Sequence, residues 1–223
     1  MKDFENHIKD AYGNIIVRTE ADFPDAFHKI DSILDKIRAS IRDIDSRVFS
    51  KRNELLFAIR LVECFRIYNW IKICLSCGSY QSIFRELRFI LDGLAQACYI
   101  DLNHIDASLT CKLEVYKALG EIGGFIGSSL FDRIKDFEDK QKLKVLYKEL
   151  SRFVHPSVEE SRVWIESSPP DGTVDSLKFN RYDPLLFTQS IEKCRSVGEL
   201  LISLNTHFVR AFLEISCDED IIR

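Results

Sequence analysis

The chain is poor in the residues that interrupt secondary structure, with nine glycines and five prolines among 223 residues. So few breakers in so long a chain argue against many short elements and predict long ones. Apolar residues make up 46% and charged residues 30% of the sequence. This balance is typical of a globular protein with a full core, and we expect a single domain over residues 1–223.

A basic excess is also lacking, because the net charge is −4 and the isoelectric point is near 5.8. Nucleic-acid-binding domains usually show an elevated isoelectric point or a basic patch. The overall charge therefore gives no sign of a polyanion-binding protein, although a local basic patch remains compatible with it.

No stretch has the character of a membrane segment or a signal peptide. The start, MKDFENHIKDAY, has no apolar core. Residues 55–77 are the most apolar stretch, with six polar exceptions that include four charges. Because each Arg, Lys or Asp near a bilayer centre costs about 2.5–3.5 kcal/mol, we reject a membrane span and expect a soluble, cytoplasmic protein.

The seven cysteines lack the pairing that a zinc site requires. Cys74 and Cys77 have CxxC spacing, but the chain contains no second pair. A redox motif would normally open a helix after a strand, whereas this pair closes a helical pattern. We interpret the cysteines as reduced, mostly buried thiols and expect neither a metal nor a cofactor.

Apolar residues recur at steps of three and four, which predicts helices along most of the chain. The fold class is all-α, an elongated bundle of five or six helices with a small β-hairpin insert. Residues 1–22 form an irregular segment with a possible strand at 15–17, and residues 157–183 form the hairpin or loop insert. The predicted helices cover about 23–44, 53–77, 79–102, 107–119, 129–154 and 184–215.

Several side chains that could bind or react with a substrate lie at the end of the fifth predicted helix, in LYKELSRFVHPS. His155 titrates near neutral pH and can act as a general acid or base, while Arg152 can hold a phosphate. Tyr147 and Ser151 share a helix face with them. The alternative is structural, because a histidine before a proline can cap the carbonyls of a helix end.

The third predicted helix carries a second polar stripe. Arg85, Arg88 and Asp92 follow one another at helical spacing, and Arg88 and Asp92 are four residues apart, so they can pair. The stripe is either a solvated face with an ion pair or a polar seam against another helix.

These features resemble a known superfamily. Long helices, the segment FRELRFILDGL and the helix end LSRFVHPS resemble prokaryotic helical-bundle proteins similar to the HEPN superfamily, which includes abortive-infection and toxin ribonucleases. Active HEPN nucleases carry an arginine, four to six residues and then a histidine, whereas two residues separate Arg152 from His155 here. The resemblance implies a homodimer with these two residues near its two-fold axis.

Two functions follow from these observations. The first is a binding or dimerisation module in prokaryotic defence or stress response, which homodimerises through its long apolar C-terminal helix and binds a partner protein or RNA. The same helix could equally be a central spine of the monomer. The second function is a HEPN-like, metal-independent ribonuclease that uses Arg152 and His155.

Overall fold

The computed structural model describes residues 2–42, 44–121, 128–154 and 182–222, and no strand occurs within these ranges. The all-α prediction is therefore confirmed. The helices are α1 (Lys2–Asp22), α2 (Ala26–Arg42), α3 (Ser46–Ser50), α4 (Leu56–Ser76), α5 (Tyr80–Asn103), α6 (Leu109–Glu121), α7 (Ser128–Arg133), α8 (Lys140–Val154) and α9 (Pro184–Ile222), with a 3-10 turn at Arg52–Glu54. Apart from residues 182 and 183, the predicted insert lies outside the described residues.

The prediction for the N-terminal segment is wrong. Residues 1–22 were expected to be irregular, yet Lys2–Asp22 is a helix and the predicted strand at 15–17 lies inside it. Ile15 and Thr19, one turn apart, are buried, while Val17 is exposed. This four-residue period is helical, and the run of three β-branched residues gave the wrong expectation.

The predicted helix count is too low, partly because one expected helix is broken. Residues 129–154 were expected to be continuous, but the structure separates α7 from α8 between Arg133 and Lys140. Asp136 within this break has a φ of 53°, in the left-handed region that aspartate tolerates better than most residues. The turn places Phe137 in the core.

α5 and α9 form the centre of the bundle. α5 packs against α4, α6, α7, α8 and α9, and α9 packs against α2, α3, α5 and α8. Stacked rings join these layers, with Phe57 of α4 on Phe208 of α9 at 4.2 Å and Phe84 of α5 on Phe153 of α8 at 4.1 Å. The site described below lies between α5 and α8.

The last helix is the central spine of the monomer. Its apolar stripe is buried against the chain's own helices, at Phe187, Cys194, Val197, Leu201, Leu204, Phe208 and Phe212. These positions are consequently not available for the dimer seam predicted through this helix.

Two helix boundaries follow the signals in the sequence. Gly78 follows α4 with a φ of 66°. Its N–H donates a hydrogen bond to Leu75 O at 3.2 Å, and the N–H of Ser79 donates one to Cys74 O at 2.8 Å. This is the Schellman arrangement that a glycine favours at a helix end. At the start of α9, Asp183 Oδ1 accepts hydrogen bonds from Leu185 N and Leu186 N, each at 3.0 Å.

A buried ion pair fixes the start of α4. Leu55 supplies no side-chain cap there, and Asp101 of α5 accepts a hydrogen bond from Phe57 N at 2.8 Å instead. The other oxygen of Asp101 lies 3.2 Å from Lys112 Nζ, and the two side chains are 0% and 1% exposed. Lys112 also donates to Glu54 O at 3.0 Å. One pair thus connects α4, α5 and α6.

The same pair puts a lysine among the core-facing residues of α6. The apolar spacing of this helix predicts that Leu109, Leu113, Tyr116 and Leu119 face inward, and all but Leu113 pack against the core. Leu113 is exposed, whereas its neighbour Lys112 is buried. A hydrophobicity pattern cannot anticipate a buried lysine, because burial depends on a carboxylate supplied by another helix.

No helix in the described part of the chain combines the length and the apolar character that crossing a bilayer requires.

Replacing Lys112 by methionine is expected to lower the free energy of unfolding by about 3–5 kcal/mol, since it leaves the Asp101 charge buried without a partner. Lys142→Met is the matched control, because Lys142 pairs with Asp139 at 2.6 Å but is 77% exposed. The control should cost about 0–1 kcal/mol. Urea unfolding measures both, and equal losses would show that the buried pair has no special role.

Gly198→Ala is expected to destabilise the protein by about 1–3 kcal/mol, although alanine normally favours a helix. A Cβ at Gly198 of α9 would overlap Ile33 Cγ2 of α2. Gly13→Ala in α1 is the control, because a Cβ there meets nothing within 4 Å, and it should stabilise. Thermal unfolding tests the difference, and a stabilised Gly198→Ala protein would contradict the close packing of α2 on α9.

Candidate functional site

Three of the seven predicted site residues lie together between α5 and α8. Arg88 of α5 donates a hydrogen bond from Nη2 to the Tyr147 hydroxyl at 2.8 Å, and its guanidinium lies 4.9 Å from the centre of that ring. Arg88 Nε lies 3.8 Å from Asp92 Oδ2, one turn along α5. Arg88 and Asp92 of the predicted polar stripe therefore lie between α5 and α8, where Arg88 contacts Tyr147.

Burial dominates the electrostatics of this cluster. The side chains of Arg88 and Asp92 are only 19% and 16% exposed. Desolvation raises the pKa of Asp92 to about 6, and the opposing effects of Arg88 and a hydrogen bond with Tyr147 do not offset it. Asp92 Oδ1 is buried and accepts no hydrogen bond from the described residues. Asp92 is thus a carboxyl group that changes charge near neutral pH.

The other predicted site residues do not join this cluster. Arg85 is exposed and lies 3.9 Å from Glu86. The Ser151 hydroxyl donates a hydrogen bond to Tyr147 O at 2.7 Å within α8, so it is used inside its own helix. Arg152 is exposed on α8, and His155 lies outside the described residues. The proposed Arg152–His155 pair therefore stays a prediction.

The cysteine pair has the character of core thiols. Cys74 is buried and Cys77 half-buried. Burial raises the pKa of Cys74 to about 11, and it also raises the pKa of Cys77. Thiols in this state carry little thiolate and are poor nucleophiles at neutral pH. Among the residues that the structure describes, no group of three or more His, Cys, Asp or Glu side chains is arranged to hold a metal.

Sequence reasoning missed a histidine. His207 of α9 is 6% exposed, and neither ring nitrogen has a hydrogen-bond partner among the described residues. It lines a cavity of about 260 Å³ with Arg133, Asp136 and Arg210. Desolvation, helped by Arg210, lowers its pKa and favours a neutral imidazole. His207 sits in an apolar stripe, so no local pattern distinguished it from a core residue.

Sequence reasoning also missed an exposed apolar surface. The six polar residues within 55–77 recur every three or four positions, a pattern that predicts a helix buried on most sides with one narrow polar stripe. Instead Ile59, Val62, Trp70 and Ile73, here called the α4 apolar face, are all exposed. Ile59 and Val62 also line a groove of about 530 Å³ between α4 and α6, together with the exposed Leu113. Composition cannot show which side of an apolar helix lacks a neighbour.

A charged network adjoins this face and includes Arg66, which lies in the middle of its row of apolar residues. Glu63 accepts hydrogen bonds from Arg60 at 2.5 Å and from Arg66 at 2.8 Å. Arg60 also donates to the hydroxyl of Tyr116 of α6 at 2.7 Å. Arginine is enriched at protein–protein interfaces, and Arg66 occupies the centre of this row.

Comparisons with protein-family models, with curated proteins and with solved structures found no significant match to this chain. The resemblance to the HEPN superfamily therefore stays a prediction, and the function has to be argued from the geometry.

Asp92→Asn is expected to remove a pH dependence of stability. Between about pH 4 and pH 6 the unfolded carboxyl is ionised while the folded one keeps its proton, so wild-type stability is lost as pH rises through this range. The variant should gain on the order of 1–3 kcal/mol relative to wild type between pH 4 and pH 7.

Urea unfolding at several pH values measures this difference. Asp35→Asn on α2 controls for the loss of an exposed carboxylate paired with Arg38. A difference between Asp92→Asn and wild type that stays constant over pH would contradict the desolvated environment of Asp92.

Proposed function

We propose that the chain is a binding module that self-associates, and that the α4 apolar face is the surface through which it does so. The observation that carries this proposal is the exposure of four large apolar side chains in one row of a single helix. Contiguous exposed apolar surface commonly marks interaction sites on folded proteins.

The rest of α4 supports this assignment. Its opposite side is committed to the monomer, because Phe57 stacks on Phe208 and the Tyr68 hydroxyl donates to Cys194 O at 2.8 Å. Lys72 is also paired with Asp31 of α2. α4 also packs against α1, α2, α5 and α6, and these neighbours leave its apolar row exposed. Burying its exposed row requires another molecule or another part of the chain.

The ribonuclease alternative rests on fewer observations. Arg152 is exposed, as phosphate binding requires, but Arg88 is engaged with Tyr147 and Asp92 rather than open to a substrate. The catalytic histidine of this alternative is not among the described residues. A role in prokaryotic defence or stress response rests on the HEPN resemblance alone. Cleavage of mixed RNA in EDTA by wild type but not by Arg152→Ala would favour the nuclease.

Val62→Glu is expected to weaken self-association on the order of 100-fold or more. Val62 is 68% exposed in the monomer, so glutamate is tolerated there, but in an interface it would be a desolvated charge. Because a homodimer contains position 62 twice, the free-energy cost of the substitution enters the association equilibrium twice.

Light scattering after size exclusion measures the mass of each variant over a range of concentrations. Val145→Glu on α8 is the matched control, with the same substitution at a valine that is 49% exposed. It should associate like wild type. Equal masses for the two variants at every concentration would remove the α4 apolar face from the proposal.

A further inference from the structure

The exposed apolar residues of α4 are spaced symmetrically along the helix. Ile59 and Val62 lie seven and four residues before Arg66, and Trp70 and Ile73 lie four and seven residues after it. With 3.6 residues per turn, all five side chains fall within about 80° of the helix surface. The row extends over about 21 Å at 1.5 Å per residue.

The spacing of this row is unchanged when the helix is turned end to end about Arg66, with Ile59 and Ile73 exchanging places and Val62 exchanging places with Trp70. We infer that α4 packs against α4 of a second copy in antiparallel orientation, with the two-fold axis beside Arg66. Ile59 then lies opposite Ile73 of the other copy, and Val62 opposite its Trp70. This inference rests on the proposed function and names the partner and its orientation.

The choice of a second copy follows from the symmetry itself. A two-fold interface uses the same patch on both molecules, so the patch has to be complementary to itself. A surface evolved for an unrelated protein has no such requirement. Four apolar positions placed evenly around one central residue meet the condition for an isologous contact.

The charges at the centre fit the antiparallel arrangement. The two Arg66 side chains meet near the axis, where each already has a carboxylate from its own Glu63 at 2.8 Å. Each Glu63 is shared with Arg60, so it reduces the repulsion between the two Arg66 side chains without cancelling their charge. Antiparallel helices also oppose their dipoles, whereas a parallel pair would align them.

The groove between α4 and α6 widens the contact at each end. It is lined by Ile59, Val62, Leu113 and Tyr116. In the antiparallel pair the end of the partner's α4 that carries Ile73 arrives at this groove, so an exposed side chain meets an open recess. The row alone is narrow, and the two grooves add area toward the ~800 Å² per partner of a standard interface.

Disulfide trapping between full-length variants tests this orientation. Ile59→Cys and Ile73→Cys are made separately in a Cys111→Ser, Cys217→Ser background and oxidised alone or as an equal mixture. In the antiparallel pair residue 59 meets residue 73, so disulfide-linked dimers should be at least ~10-fold more abundant in the mixture than in either variant alone. Val145→Cys mixed with either variant controls for random collisions.

The outcomes separate this inference from the proposed function. Efficient linkage within each variant alone would show a parallel pair and overturn the orientation, while self-association through α4 would stand. Concentration-dependent dimers without linkage in any sample would place the interface elsewhere and overturn both statements. A wild type that stays monomeric by light scattering would likewise overturn both, and it would direct attention to a different protein as partner. Thermal unfolding of each variant first establishes that it folds.

Discussion

A carboxylate and an ammonium group, both closed off from solvent, meet where α4, α5 and α6 converge. Asp101 caps the first turn of α4 through Phe57 N–H, and Lys112 holds the preceding turn through Glu54 O. Such a pair adds little net stability compared with apolar packing, but it is costly to break. Its consequence is orientation, because α4 can no longer turn about its own axis and one face stays outward.

The opposite side of α4 packs on α5 and contacts the long spine α9. Gly198 lets α2 and α9 approach closely, and Tyr68 of α4 reaches across to Cys194 O in the same region. α4 is thus held at its start by an ion pair and along its inner side by α5, with further contacts to α9. The same constraints that stabilise the monomer leave Ile59, Val62, Trp70 and Ile73 without cover.

Local signals predicted the all-α fold and several boundaries, because Gly78 and Asp183 act on the backbone next to them. The features that the sequence did not predict depend on residues that are distant along the chain. Lys112 is buried only because Asp101 lies opposite it, and the break near Asp136 is set by where Phe137 docks. Of the candidate site, the pairing of Arg88 with Asp92 followed from helical spacing, whereas the contact with Tyr147 required the packing of α5 on α8. Nothing in the sequence indicated that Ile59, Val62, Trp70 and Ile73 on one side of α4 are exposed.

Sedimentation equilibrium of the unmodified protein tests the central claim most directly, namely that the α4 apolar face is covered by a second copy. If a second copy covers this face, the apparent mass rises from 25.9 kDa at high dilution toward twice that value, following one reversible monomer–dimer equilibrium. A mass that stays at 25.9 kDa up to the solubility limit would contradict it. A mass that continues to rise beyond a dimer would also contradict it, because a two-fold interface is closed.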